Sequence, residues 1–292
     1  MHQAEGTRVS TELKVGGITV TALNDGFNYL PKIAYAGLDF DAHPGLLDSD
    51  GTWHMPTACY LVQGEGFTVL VDAGTGPVQL PYPPQMAAAA GLEHAPEFIA
   101  VGGALPDELA RVGVAPADVD IVFLTHLHMD HVGWVAPNGG EPFFPNARVL
   151  YGAADWDALI APAPEGDLSR TVMEAARAAG ILEPVEGAVV EIAPGVVAHH
   201  TPGHTPGHYT VQVFDGGQEV DLLGDTVQHP LMLTDRGIGF HADADGAKAK
   251  ETRDGLFDRF TGRQVALGMS HQPGLDFKRI ATGEDGPYWV NA

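Results

Sequence analysis

Four residues with metal-ligating chemistry fall inside six positions, His126, His128, Asp130 and His131, in the run Thr125-His126-Leu127-His128-Met129-Asp130-His131. Directly after a strand, alternate side chains such as His126 and His128 can point the same way. Asp130 and His131 belong to the turn that follows and can face a second centre. Any one of these histidines alone reads as a surface or capping residue. Packing all four together without a cation leaves buried polar groups unpaired, so the run reads as ligands for two metals.

Further donors stand at other strand ends. In Thr201-Pro202-Gly203-His204-Thr205-Pro206-Gly207-His208 the Pro and Gly residues hold the chain in a rigid bend. His204 is the better ligand there, and His208 the supporting or structural residue. The apolar stretch Val220 to Leu223 ends in Gly224-Asp225, and another short strand ends in Ser270-His271. A lone carboxylate after a strand is usually a cap or turn residue, but Asp225 completes a set. Imidazoles and carboxylates without thiolate suit two divalent metal ions, zinc first, with iron, manganese or cobalt also accommodated. The run Asp243-Ala244-Asp245-Gly246 lacks the third acidic position and closing Glu of a calcium loop and reads as a helix N-cap. Cys59, the only cysteine, lies in an apolar run and reads as core.

These donors need strands to carry them. Residues Ile18 to Leu23 alternate apolar residues with Thr and end at the turn signal Asn24-Asp25-Gly26. Thr57 to Val62 and Phe67 to Val71 form a hairpin that ends at Asp72-Ala73-Gly74-Thr75-Gly76. Further strands are predicted at 119–124, 148–151, 189–192, 196–200, 209–214, 219–223 and 265–269, with helices at 106–112, 168–179 and 247–260. Residues 77–104, rich in Pro and Ala, read as a long surface excursion, either covering the site or a solvent-exposed insertion without function. Two groups of strands with helices between and after them predict an α/β fold, two sheets packed face to face with helices outside. Without a repeat or a linker, residues 1–292 read as one domain.

Composition narrows the partners. With 15 Lys and Arg against 38 Asp and Glu, the formal charge of −23 repels phosphate backbones and anionic bilayers, so neither nucleic acid nor membrane is expected. Met1 to Gly6 lacks a basic region leading into an apolar stretch, and no later segment approaches the run of about 18 apolar residues that spans a bilayer. A cytoplasmic enzyme is the simplest expectation, with a homodimer entertained as its assembly.

The His-x-His-x-Asp-His segment, His126 to His131, resembles the metallo-β-lactamase superfamily, and the resemblance runs from Asp72-Ala73-Gly74 to His271. It is most similar to the branch of acyl-homoserine lactone lactonases and methyl-parathion-hydrolase-like proteins. That branch is indicated by His131-Val132-Gly133-Trp134, by the two Thr-Pro-Gly-His tetrads and by Gly224-Asp225. The closing Asp285-Gly286-Pro287-Tyr288-Trp289 adds little. The resemblance implies an αββα sandwich of two mixed sheets with the metal site at one edge. It also implies that His126, His128 and His204 hold one metal, that Asp130, His131 and His271 hold the other, and that Asp225 bridges them.

Two cations sharing an oxygen bring the pKa of that water towards about 7, which makes a bridging hydroxide the expected nucleophile. Asp130 is also a candidate catalytic residue, carrying a proton to the leaving group. Some lactonases of this branch have a tyrosine three residues after the bridging aspartate; this chain has Gln228, followed by His229. That departure weakens the case for homoserine lactones in particular. His229 is a candidate for the catalytic pocket, with a structural histidine as the alternative. Trp134, Phe143, Phe144 and Tyr82 are candidates for an apolar wall around a small, neutral, partly apolar substrate, with plain core residues as the alternative. The expected function is dinuclear metal-dependent hydrolysis of lactones or related carboxyl esters. The alternatives are organophosphate or aryl ester hydrolysis and, from a different class, a mononuclear iron sulfur dioxygenase.

Overall fold

Ile121–Leu124 sends alternate side chains to opposite faces of a sheet, and both faces are covered. Ile121 and Phe123 enter one apolar cluster, while Val122 and Leu124 enter another. The unbroken apolar run therefore marks a strand at the middle of a layered molecule. The computed structural model describes residues 11–284 and 286–292; the Met1 to Gly6 segment and Asp285 lie outside the described residues.

Among the described residues the first sheet runs Leu182–Val185, Arg148–Gly152, Ile121–Leu124, Phe67–Val71, Thr52–Gly64, Ile18–Pro31, Phe98–Val101 and Gln79–Pro81, with Glu12–Val15 also paired to Ile18–Pro31. Its first four strands are parallel and the rest antiparallel. The second sheet runs Val189–Ala193, Val196–His200, Tyr209–Asp215, Gln218–Leu222, Ala266–Gly268, Lys278–Gly283 and Gly286–Asn291. One of its pairings, Gln218–Leu222 with Ala266–Gly268, is parallel. Between the sheets lie residues such as Val20, Tyr60 and Phe123 from one and Val211, Val220 and Leu222 from the other. Leu105–Arg111 and Leu168–Ala178 cover the outer face of the first sheet, and Leu256 and Phe260 of Gly246–Phe260 pack with Leu223 and Leu267 on the second. The fold is the expected αββα sandwich of mixed sheets. No helix of the described residues is long and apolar enough to cross a membrane.

Two local expectations fail, and a third reading resolves to its core alternative. Asn24-Asp25-Gly26 is a β-bulge inside one long strand, with the register against Thr52–Gly64 shifting between Asn24 and Gly26. Buried Asp25 uses the bulge to accept from the backbone N–H groups of Thr75, Gly76, Gly103 and Leu105 and from Trp134 Nε1, at 2.8 to 3.2 Å. Residues 77–104 are not one irregular excursion. They hold the strands Gln79–Pro81 and Phe98–Val101 and the helix Pro84–Ala90, and they extend the sheet edge beside Ile18–Pro31. Trp134, Phe143 and Phe144 are core residues packed beneath the helices, and Tyr82 is buried as well; none lines the cavity described below. The strands at both ends of the described chain, Glu12–Val15, Lys278–Gly283 and Gly286–Asn291, had no sequence assignment, and neither had Leu182–Val185. Asp245 does cap Gly246–Phe260, accepting from Lys248 N at 2.9 Å, and Cys59 is buried in the core.

Candidate metal centre

Strands from both sheets end at one edge of the sandwich, and the polar residues just beyond those ends meet there. Ile121–Leu124 delivers His126 and His128, and the single helical turn Met129–Val132 carries Asp130 and His131. The loop after Val196–His200 brings His204, the end of Gln218–Leu222 brings Asp225, and the chain after Ala266–Gly268 brings His271. Gly224, at φ +51°, turns the chain just after Gln218–Leu222. A Cβ there would lie 2.7 Å from His208 Nε2, so the tight approach needs glycine.

The seven side chains form three overlapping donor groups, His126 with His128 and His204, His126 with His131 and Asp225, and Asp130 with His131 and His271. His126 Nε2 and His204 Nε2 each lie 3.0 Å from His128 Nδ1. Asp225 Oδ1 lies 3.4 Å from His131 Nε2 and 3.2 Å from His271 Nε2, whereas Oδ2 lies 3.6 Å from His204 Nε2. Asp130 faces His271 Nε2 at 3.5 Å and His131 Nε2 at 3.8 Å. Two donors on a tetrahedral ion with bonds near 2.05 Å stand about 3.3 Å apart, which is the scale of these separations. His131 Nε2 and Asp225 Oδ1 are buried without a hydrogen-bond partner, as donors aimed at a cation would be. The set fits two divalent ions.

Several imidazoles are held from behind, so that the inner nitrogen faces the cluster. Asp72 accepts from His131 Nδ1 at 2.8 Å and from Thr125 N and Oγ1. Thr125 Oγ1, spending its own proton on Asp72, accepts from His126 Nδ1 at 3.1 Å. Asp243 accepts from His204 Nδ1 and from the buried Arg253, and the Pro56 carbonyl accepts from His271 Nδ1. Asp155 accepts from Leu127 N, Thr205 Oγ1 and Gly207 N, tying the loops that carry His126 and His204 together. His208 accepts from Asp225 N and meets Thr201 and Thr226, which is a supporting place.

Protonation follows from this packing. Burial, then the charge of neighbouring imidazoles, pushes His126 well below its ordinary pKa, and His128 down to about 4 by burial and His204. For His131 burial is outweighed by the carboxylates of Asp72, Asp225 and Asp130, and for His271 by Asp225 and Asp130, so both are raised. Burial works against ionised Asp225 and Asp130 too, yet His271 and His131 hold both below the usual carboxylate range. The carboxylates and the imidazoles of His126 and His128 are thus already in the form that binds metal, whereas His131 and His271 would release a proton on binding it.

His229 is not among the residues lining the cavity over this cluster. Its ring stands edge-on to Trp53 and Trp289, and Nδ1 accepts from Leu231 N. Burial, then the charges of Lys278 and His43, pushes its pKa down to about 3. The unfolded chain takes up that proton near pH 6.5 and the folded chain only near 3, so the unfolded state binds more protons in between. Stability is therefore lost as pH falls through this window. Between pH 7 and 4.5 the wild type is expected to lose about 2 kcal/mol more than His229→Leu, measured by urea unfolding. Equal losses would show that His229 does not titrate this way.

A sequence profile of the metallo-β-lactamase superfamily matches residues 53–262. The chain belongs to that superfamily. An N-acyl homoserine lactonase from a Bacillus species is 30% identical over 168 residues, 54% of this chain and 58% of the relative, so the match spans little more than half of that protein. Among solved structures of the metallo-β-lactamase fold, a hydrolase of the β-lactamase superfamily aligns over 99% of both chains with a TM-score of 0.78 and 20% identity. A dizinc quorum-quenching lactonase in complex with a product aligns over 98% of both, also with a TM-score of 0.78 and 20% identity.

Asn28, Asp72, Asp155 and Asp243 were not predicted as site residues. Asp72 had a signal, a carboxylate at a strand end, and Asp243 drew notice only as part of a calcium-like run. Asn28 and Asp155 had none, because their partners lie far away in the chain.

Proposed function

We propose that this protein is a hydrolase of lactones or related carboxyl esters that works with two divalent metal ions, zinc first. His126, His128 and His204 would hold one ion and Asp130, His131 and His271 the other, with Asp225 shared. The observation that carries the reading is Asp225, buried where the donor groups meet, with Oδ1 at 3.2 to 3.4 Å from His271 and His131 and Oδ2 at 3.3 Å from His271 and 3.6 Å from His204. A cation pair bound there supplies Lewis acidity and lowers the pKa of water, so that hydrolysis proceeds at neutral pH.

The residues of the chain supply position and charge. Asp72, Asp243 and the Pro56 carbonyl fix imidazole orientation, so little reorganisation is needed when a substrate carbonyl arrives. A cavity of about 420 Å³ opens over the cluster, with Asp130, His204 and His271 at its base and Leu30, Leu80, Ile99 and Phe240 among its walls. That mixture supports a small, partly apolar, neutral substrate. The segment 77–104 contributes Leu80 and Ile99 to that wall. Asp130, held ionised beside the cluster, would take up a proton and pass it to the leaving alkoxide.

Asn28 Nδ2 donates to Asp130 Oδ2 at 2.7 Å and fixes that carboxylate. Asn28→Ala is expected to lower kcat on a lactone by about 10-fold with metal content unchanged. An unchanged kcat would remove this positioning role. The function itself is tested by loading the purified protein with zinc and following acid release from a panel of lactones and aryl esters. Turnover that disappears on chelation and returns with zinc supports the reading, and a metal-loaded protein inert to the whole panel contradicts it.

A further inference from the structure

Asp155 is a buried carboxylate near the cluster that is not one of its donors. It belongs to none of the three donor groups, and it does not cap its own short helix, Ala153–Asp155. Its partners come instead from two segments far apart in the chain. Oδ2 accepts from Leu127 N at 3.2 Å and from Thr205 Oγ1 at 2.9 Å, while Oδ1 accepts from Gly207 N at 2.6 Å. Leu127 stands between His126 and His128, and Thr205 follows His204. Those three histidines are one donor group.

The segment that carries His204 is also held by the helix Gly246–Phe260 and the residues before it. Thr252 Oγ1 donates to the Pro202 carbonyl at 2.7 Å, and Ala244 N and Asp245 N donate to the carbonyls of His204 and Gly203 at 3.0 Å each. Further on, Tyr209 N donates to Thr125 O at 2.9 Å. Between those anchors the Asp155 carboxylate joins the His204 turn to Leu127. A Cβ at Gly207 would lie 2.8 Å from Asp155 Oδ1, so this approach needs glycine. A buried carboxylate is costly, and its donors here are neutral. What it offers is two oxygens that only accept. Asparagine has one, and its NH₂ would face a backbone N–H of one segment or the other. The donor group of Asp130, His131 and His271 has separate supports in Asn28, Asp72 and the Pro56 carbonyl.

We infer that Asp155 is a positioning residue that presets the spacing of His126 and His128 from His204, and so governs zinc affinity in the three-imidazole half of the centre while sparing the other half. This rests on the metal-centre reading above. Donors already in place need no rearrangement when the ion arrives, and a support behind metal ligands is worth about 10- to 100-fold in affinity. Here one side chain serves three imidazoles through the backbone and hydroxyl groups beside them.

The test measures zinc affinity by competition with a chromogenic chelator in the intact wild type and in Asp155→Asn. One equivalent is expected to bind about 10- to 100-fold more weakly in Asp155→Asn, and the other to move by less than about 3-fold. Adding Asp155→Asn to His204→Ala, which already lacks one imidazole of that half, should cost the remaining equivalent less than about 3-fold. A carboxylate that merely stabilises the fold would weaken both equivalents alike. Equal weakening, no weakening, or a further loss in the His204→Ala background would overturn the inference while leaving the metal centre in place. Thr205→Val removes one of the three bonds and keeps the carboxylate, so it decides if Asp155→Asn does not fold. It is expected to weaken the same equivalent about 3- to 10-fold, and two affinities that stay unchanged or fall equally would overturn the inference. If the wild type itself retains no zinc, the metal-centre reading fails and this inference falls with it.

Discussion

Asp225→Ala is expected to strip metal from both halves of the centre and to lower kcat/KM by about 1000-fold or more on any substrate the wild type hydrolyses. The size of the effect follows from where the carboxylate stands. Its Oδ1 is within 3.4 Å of His131 and His271, its Oδ2 is 3.3 Å from His271 and 3.6 Å from His204, and the residue is buried. Removing it takes a charged donor from each set and leaves two cations to repel one another in a poorly solvated pocket. Metal analysis and steady-state rates on the same preparation check this. A variant that retains two equivalents and a rate within about 10-fold of wild type would rule out the shared role.

The second large effect is expected at a residue outside the donor groups. Asp72→Ala should lower metal affinity by about 10- to 100-fold, because His131 loses the carboxylate that fixes its ring. It should also lower stability by about 3 kcal/mol or more, because Thr125 N, Thr125 Oγ1 and His131 Nδ1 are left buried without an acceptor. Asp72 sits at φ +63°, a strained conformation for a residue with a Cβ, and alanine gains nothing there. Asp25 provides the control. It is as deeply buried and accepts five N–H groups, but none comes from a histidine. Asp25→Ala should therefore destabilise the fold while the folded fraction binds zinc as tightly as wild type. Zinc titration with parallel denaturant unfolding separates the two, and equal losses of affinity would remove the special place given to Asp72.

The contrast between these two aspartates shows what was legible in the sequence. The donor cluster was readable because four of its residues are nearly contiguous and the others follow short apolar strands, so local pattern alone exposes them. The sandwich was readable because strands such as Ile121–Leu124, buried on both faces, write their environment as an apolar run. Asp25 was misread because Asn-Asp-Gly is a strong local turn signal, and only partners 50 to 109 positions away reveal it as a bulge built around a buried acceptor. Asp72 was seen as a strand end but not as the residue that orients His131, 59 positions later. For the aromatic residues it is the core alternative that holds. Trp134 and Phe143 have the composition of a pocket wall, but hydrophobicity alone does not say which side of a sheet a residue faces.

The most direct test is metal stoichiometry. Protein stripped with a chelator, reloaded with zinc, freed of excess and analysed by mass spectrometry of the elements should hold two equivalents per chain. The double variant His131→Ala with His204→Ala, which removes one imidazole from each set, should hold fewer than one. A wild-type chain that retains no zinc, or a double variant that still retains two equivalents, would contradict the account.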